Sequence, residues 1–196
     1  MSVAALRAVP AEPDRDLAAA ERAAADFLLA LGVSLDSESL AETPRRMARA
    51  YAELLTPREF NVTTFPNDEG YDELVLVRDI PINSVCEHHL LPFTGKAHVG
   101  YLPGDRIIGL SKLARVVELF GHGLQVQERL TKQVADWLQN RLRPRGVGVV
   151  IEAEHLCMTL RGVQAAGTRT ITSTLLGTLR DDARSRAEFL NLAGTR

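Results

Sequence analysis

The chain has 196 residues, 45% of them hydrophobic, which is enough for one sizeable core and an appended arm. Its 23 basic and 25 acidic side chains leave a net charge of -2, so nothing draws it in bulk to a polyanion. That excludes nucleic acid as an expected partner, while a small phosphorylated ligand needs only a local cluster of Arg and Lys. The opening MSVAALRAVPAEPDRD is too short, too interrupted by proline and too soon acidic for a signal peptide, and no apolar run approaches a membrane span. No membrane partner is expected, and the expected location is cytoplasmic.

Residues 1–13 show no apolar periodicity and read as a flexible leader. From Asp14 to about Val33, Leu17, Ala20, Ala24, Leu28 and Leu31 recur at helical spacing. A second helix is expected with Thr43 as its cap and Pro44 in its first turn; Met47, Tyr51 and Leu54 form its stripe, and it ends near Pro57. Residues 1–57 therefore read as leader and helical arm, and 58–196 as the main domain. The runs Glu73–Asp79, Phe93–Tyr101 and Arg106–Leu110 read as strands, separated by turn signals at Pro66-Asn67 and Pro103-Gly104-Asp105. A short helix opens at Ser111. A longer one runs from about Gln125 to Leu142, with Leu130, Val134, Trp137 and Leu138 on one side, and Pro144 and Gly146 stop it. Gly146–Met158 and Thr168–Leu179, rich in Val, Ile and Thr, read as two long strands. Strands, two consecutive helices, then strands imply an α+β domain with both helices on one face of an antiparallel sheet.

The densest chemistry lies in Cys86-Glu87-His88-His89, where a Cys and a His three apart converge on one metal. The second cluster, His155-Leu156-Cys157, falls in the run VGVVIEAEHLCM; in a strand, residues 155 and 157 point to one face. A zinc ion held by Cys86, His89 and Cys157 follows, with one coordination position open as in catalytic sites. His88 and His155 are then free to move protons. Each of these residues alone is more often a buried thiol or a satisfied core imidazole, and a Cys86–Cys157 disulfide is the other plain reading. A disulfide leaves the adjacent histidines and His155 without a role.

In Gly109-Leu110-Ser111-Lys112-Leu113-Ala114-Arg115 a strand gives way to a helix start suited to an anion, and Lys112 and Arg115 are neighbours on that helix. Read alone, this is an ordinary serine cap before a solvated basic face. Arg161, on the parity of Cys157, weakens that reading. Glu128 looks like a surface carboxylate unless the ligand presents two adjacent N–H donors, as guanine does.

Six segments together resemble the GTP cyclohydrolase I family, of the tunnelling fold: ETPRRMARAY, SVCEHHLLPFTGKAHVGYLPG, IGLSKLARVVELF, LQVQERLTKQVADWL, GVGVVIEAEHLCMTLRGV, and TSTLLG with the later EFL. The resemblance spans Glu42 to Leu192. It implies zinc on Cys86, His89 and Cys157, with His155 as the acid that protonates guanine N7 and His88 as a second proton-transfer histidine. It also implies guanine recognition by Glu128 with Gln127 beside it, and a role for Ser111 in rearranging the ribose. Lys112, Arg115 and Arg161 match a triphosphate clamp, which Arg46 joins from a neighbouring subunit. The implied reaction hydrolyses GTP at C8, releases formate and yields 7,8-dihydroneopterin triphosphate, the first step of tetrahydrofolate and pterin biosynthesis. The family is a toroidal homodecamer whose sheets join into barrels with active sites between subunits. One copy has too few strands to close a barrel alone. A nucleobase deaminase, which also uses His and Cys ligands and a glutamate, ranks low, because its His-x-Glu and Pro-Cys-x-x-Cys pattern is absent.

Overall fold

Asp16 opens the first helix, α1 (Leu17–Ala30), by accepting the Ala19 N–H at 2.8 Å, and two more follow, α2 (Glu38–Ala41) and α3 (Thr43–Leu54). The computed structural model describes residues 14–194; the leader expected over residues 1–13 lies outside the described residues. The described residues fall into two compact units, 14–56 and 57–194. Within the first unit α1 packs on α3, burying Ala24 and Ala48. The Arg15 guanidinium donates to Ala52 O at 3.0 Å and Leu55 O at 2.9 Å, satisfying carbonyls that the end of α3 leaves open. Thr43 lies inside α3 instead of capping it; Glu42 holds the cap position, and Pro44 fills the first turn. Among the described residues no helix is long and apolar enough to cross a membrane.

The second unit runs β1 (Thr64–Pro66), β2 (Val75–Cys86), β3 (Pro92–Leu102), β4 (Arg106–Ile108), α4 (Leu110–Gly121), β5 (Leu124–Gln125), α5 (Gln127–Leu142), β6 (Gly146–His155), α6 (Leu156–Thr159), β7 (Thr170–Gly177), α7 (Thr178–Asp181) and α8 (Ala183–Ala193). Its main sheet has the order β5-β2-β3-β6-β7. All pairs are antiparallel except β2 with β5, which run parallel through Val85↔Leu124 and Cys86↔Gln125. Strand β4 pairs with β1 in a separate small sheet.

Strand alternation sorts the core into two layers. Val149 and Ile151 join Phe93, Ala97, Val99 and Tyr101 in a cluster with Leu113 and Val116 of α4 and Leu130, Val134 and Leu138 of α5. Val150, one residue out of phase, faces a second cluster with Leu102, Leu179 and Phe189. The second layer is the work of α8, a helix that the strand-and-helix pattern of the sequence does not foretell. It is nonetheless well signalled: Asp182 caps it by accepting the Ser185 N–H at 2.8 Å, and Gly194 ends it at φ 76.

Several boundaries differ from the sequence expectation. The strand expected to stop at Asp79 continues to Cys86, because a bulge between Val77 and Ile80 absorbs Asp79 at φ 55. The helix expected from Gln125 begins at Gln127, since Leu124 and Gln125 are taken up in pairing with β2. The strand expected to reach Met158 ends at His155, where one helical turn takes over.

Phe189 occupies space that two glycines leave open. A Cβ on Gly148 would lie 2.7 Å from its ring, and one on Gly100 3.1 Å. The Phe189→Ala variant is expected to lose about 3–5 kcal/mol of stability, read as a lower denaturant midpoint with an unchanged slope. An unchanged midpoint contradicts this account of the second layer.

Candidate active site

Strand β2 delivers Cys86 at its last residue, and the chain then reverses: Leu90 N–H donates to Cys86 O at 2.9 Å, and Cys86 N–H to Leu91 O at 2.9 Å. The exposed loop between them is fastened to α5. Glu87 N–H donates to Gln125 O at 3.0 Å, and the Glu87 carboxylate pairs with the Arg129 guanidinium, which also reaches Leu124 O at 3.0 Å and Gln125 Oε1 at 2.9 Å. Arg129 holds the Glu87 carboxyl below the usual carboxylate range. Cys157 arrives from the other side on α6. It does not share a strand face with His155, as the alternation argument expects; the single helical turn brings its thiol round to Cys86.

The ligand atoms of Cys86, His89 and Cys157 all lie within 4.8 Å of one another. The two sulfurs are 4.0 Å apart and Cys86 Sγ is 3.8 Å from His89 Nδ1. Tetrahedral zinc with ordinary bond lengths implies about 3.8 Å between sulfurs and about 3.6 Å from sulfur to nitrogen. The triad fits such an ion. Both cysteines are free, and 4.0 Å is about twice a disulfide bond, so the disulfide reading fails. Burial, then the neighbouring Cys86, push the Cys157 thiol up; a bound cation opposes that push by favouring the thiolate. His88 stays outside the triad, its ring set edge-on to His89 with 6.2 Å between centroids.

The triad opens on a cavity of about 220 Å³ lined by Cys86, His88, His89, Gln125, Val126, Gln127, Glu128, His155, Cys157, Met158 and Thr170. The His155 ring stacks on Phe93 with 4.6 Å between centroids and 10° between planes. Its Nε2 lies 2.8 Å from Gln127 Oε1. Burial holds His155 below the ordinary histidine range, and the Glu128 charge pulls the other way. Glu128 itself is exposed in the first turn of α5, where the helix dipole favours a carboxylate. Gln127 is 1% exposed, and its side-chain nitrogen is taken up by Ile151 O, Thr170 O and Thr172 Oγ1, leaving no side-chain donor for a purine edge. Gln125, Val126, Met158 and Thr170 border the cavity without any signal in the sequence pattern.

Ser111, Lys112, Arg115 and Arg161 are not among the residues that line this cavity. Ser111 is exposed in the first turn of α4; Gly109 holds the cap position, so the serine-cap reading is corrected and the hydroxyl makes no capping bond. Lys112 Nζ lies 5.9 Å from the Phe60 ring centroid. Arg115 pairs with Glu118 at 3.5 Å, and Glu118 also accepts from Arg58 at 3.0 Å. Arg161, expected on a continuing strand, instead follows α6, exposed and near enough for its charge to lower Cys157. Arg46 belongs to α3 of the first unit, where it donates to Ser39 O at 2.8 Å.

A cavity that gathers three metal-capable side chains, two further imidazoles and a solvent-facing carboxylate has the make-up of a candidate active site, and the class it points to is an enzyme. The sequence profile of GTP cyclohydrolase I matches residues 20–194. The chain is 53% identical over 187 residues to GTP cyclohydrolase 1 of Mycolicibacterium gilvum (strain PYR-GCK), covering 92% of each. It is 52% identical over 177 residues to that of Thermobifida fusca (strain YX), covering 88% of this chain and 86% of the other. With that of Aquifex aeolicus (strain VF5) the identity is 52% over 166 residues, covering 85% and 90%. The chain belongs to the GTP cyclohydrolase I family.

Replacing one thiol isolates the ligand assignment. Purified Cys157→Ser protein is expected to carry at least about tenfold less tightly held zinc than wild type, measured by elemental analysis after dialysis against a weak chelator. Full metal content in that variant refutes the triad.

Proposed function

We propose that the protein hydrolyses GTP at guanine C8, releases formate and rearranges the product to 7,8-dihydroneopterin triphosphate. The observation that carries this reading is the presence of the Cys86/His89/Cys157 triad, His155 and Glu128 around one cavity in a chain of this family. Zinc, held by Cys86, His89 and Cys157, would supply the Lewis acidity that makes water nucleophilic near neutral pH.

The remaining steps belong to the protein's own side chains. Glu128, exposed at the cavity and favoured as a carboxylate by the start of α5, accepts side by side from the guanine ring N–H and amino group. His155 gives a proton to N7, which makes C8 electrophilic; water adds its oxygen to C8, and the bond between C8 and N9 breaks, N9 leaving with a proton, so that a formamide remains on N7. His88, at the cavity wall, shuttles protons in the second hydrolysis that frees formate. Ser111, with its hydroxyl unclaimed by capping, serves the later rearrangement of the ribose carbons.

Lys112, Arg115 and Arg161 hold the triphosphate, and their binding energy keeps the ribose beside the base through both stages. For that, Arg115 exchanges its pairing with Glu118 for phosphate oxygens, which accept stronger, charge-assisted bonds. A cavity of about 220 Å³ falls below the ~300–1,000 Å³ of most small-ligand sites, so one chain encloses only part of a nucleoside triphosphate. A homodecamer whose neighbours complete the site, with Arg46 reaching in from another copy, supplies the rest. It would also pair the open edge of β7.

His155→Ala separates proton transfer from metal binding. The variant is expected to keep its zinc while formate release falls by about 10²- to 10⁴-fold. Wild-type formate release with zinc retained removes His155 from the chemistry.

A further inference from the structure

The contacts of Gln127 are directional enough to assign hydrogens around it. Its amide offers one acceptor oxygen and two N–H donors. The nitrogen sits 3.0 Å from Ile151 O and 2.9 Å from Thr170 O, both of which only accept. Turning the amide over would set Oε1 against those two carbonyls, so its orientation follows from its neighbours. The hydroxyls beside it agree. Thr131 gives its proton to Gln127 O at 2.7 Å, so the 2.6 Å contact between Thr131 and Thr172 is donated by Thr172. The remaining lone pair of Thr172 Oγ1 then faces the Gln127 nitrogen at 3.1 Å. Gln127 Oε1 is thus an acceptor aimed at His155 Nε2, 2.8 Å away, and that ring nitrogen must carry the hydrogen.

We propose that Gln127 is a positioning residue: it holds neutral His155 as the Nε2–H tautomer, so that Nδ1 is the nitrogen that takes up a proton from solvent and passes it to the purine. The inference rests on the reading of His155 as the proton-transfer group. Two contacts fix the imidazole: the Gln127 bond sets its rotation within the plane, and the Phe93 stack, 10° from parallel, sets the plane. The anchors of Gln127 come from β6, β7 and α5, so the ring's aim is tied to the sheet instead of to the exposed loop that carries His88 and His89. This assigns Gln127 a role different from reading the guanine edge, for which its neighbour Glu128 has the exposed carboxylate.

The test uses full-length, zinc-loaded protein labelled with 15N-histidine. Magic-angle-spinning NMR of the neutral imidazoles, with the His155 signals identified by their loss in His155→Ala, is expected to show Nε2 protonated and Nδ1 bare. An Nδ1–H tautomer at His155 overturns the proposal, and this measurement needs no Gln127 variant to fold. In Gln127→Met, which fills the space without an acceptor, kcat for formate release from GTP is expected to fall about 10- to 100-fold with zinc content and KM held. Gln127→Glu, which keeps an oxygen toward His155, should retain more kcat than the Met variant. A Met variant with wild-type kcat, or one in which only KM rises, overturns the positioning role. Wild-type formate release by His155→Ala would instead sink the underlying proton-transfer reading, leaving the tautomer result intact.

Discussion

The two thiols drive the organisation of this site. Cys86 and Cys157 stand 71 positions apart in the chain and 4.0 Å apart in space, one at the end of β2 and the other in α6 just after β6, two strands that both pair with β3. Burial and the neighbouring Cys86 favour the neutral form of the Cys157 thiol, and a cation between the two sulfurs would oppose that by favouring the thiolate. β3 spaces the two strands, one helical turn swings Cys157 inward, and Arg129 pins the loop whose third residue after Cys86 supplies the imidazole.

The polar side of the cavity is built on a different principle, in which every buried group is spoken for. The Gln127 amide, the Thr131 and Thr172 hydroxyls and the carbonyls of Ile151 and Thr170 satisfy one another below the surface. What remains at the cavity is the His155 imidazole and the Glu128 carboxylate. Buried networks of this kind are costly when incomplete, so completeness here gives a rigid platform for groups that must act at fixed positions. The basic residues of α4 are arranged otherwise: Arg115 is exposed and pairs with Glu118, and Lys112 lies over the Phe60 ring.

The legible parts of the chain were those with local cause. The α5 stripe of Leu130, Val134 and Leu138, the β-branched run of β6 and the Cys/His clusters announce themselves by period and residue type, and all appear in the structure close to where the pattern puts them. The less legible parts depend on partners distant in sequence. Asp79 and Pro81 look like the end of a strand, yet β2 continues because a bulge takes Asp79 and Pro81 lies where β2 has β3 on only one side. The break at His155, where β6 gives way to α6, has no local marker. Gln127 reads as an ordinary helix-start polar residue, and its role emerges only when Ile151 and Thr170 are brought beside it.

We propose that one metal-loaded cavity opens the guanine ring. The most direct measurement incubates purified, metal-analysed protein with GTP and follows formate and pterin absorbance together. The account predicts that both rise in equal amounts, stop with a strong chelator and return when zinc is restored. Metal-replete protein that binds GTP but yields neither formate nor pterin would contradict it.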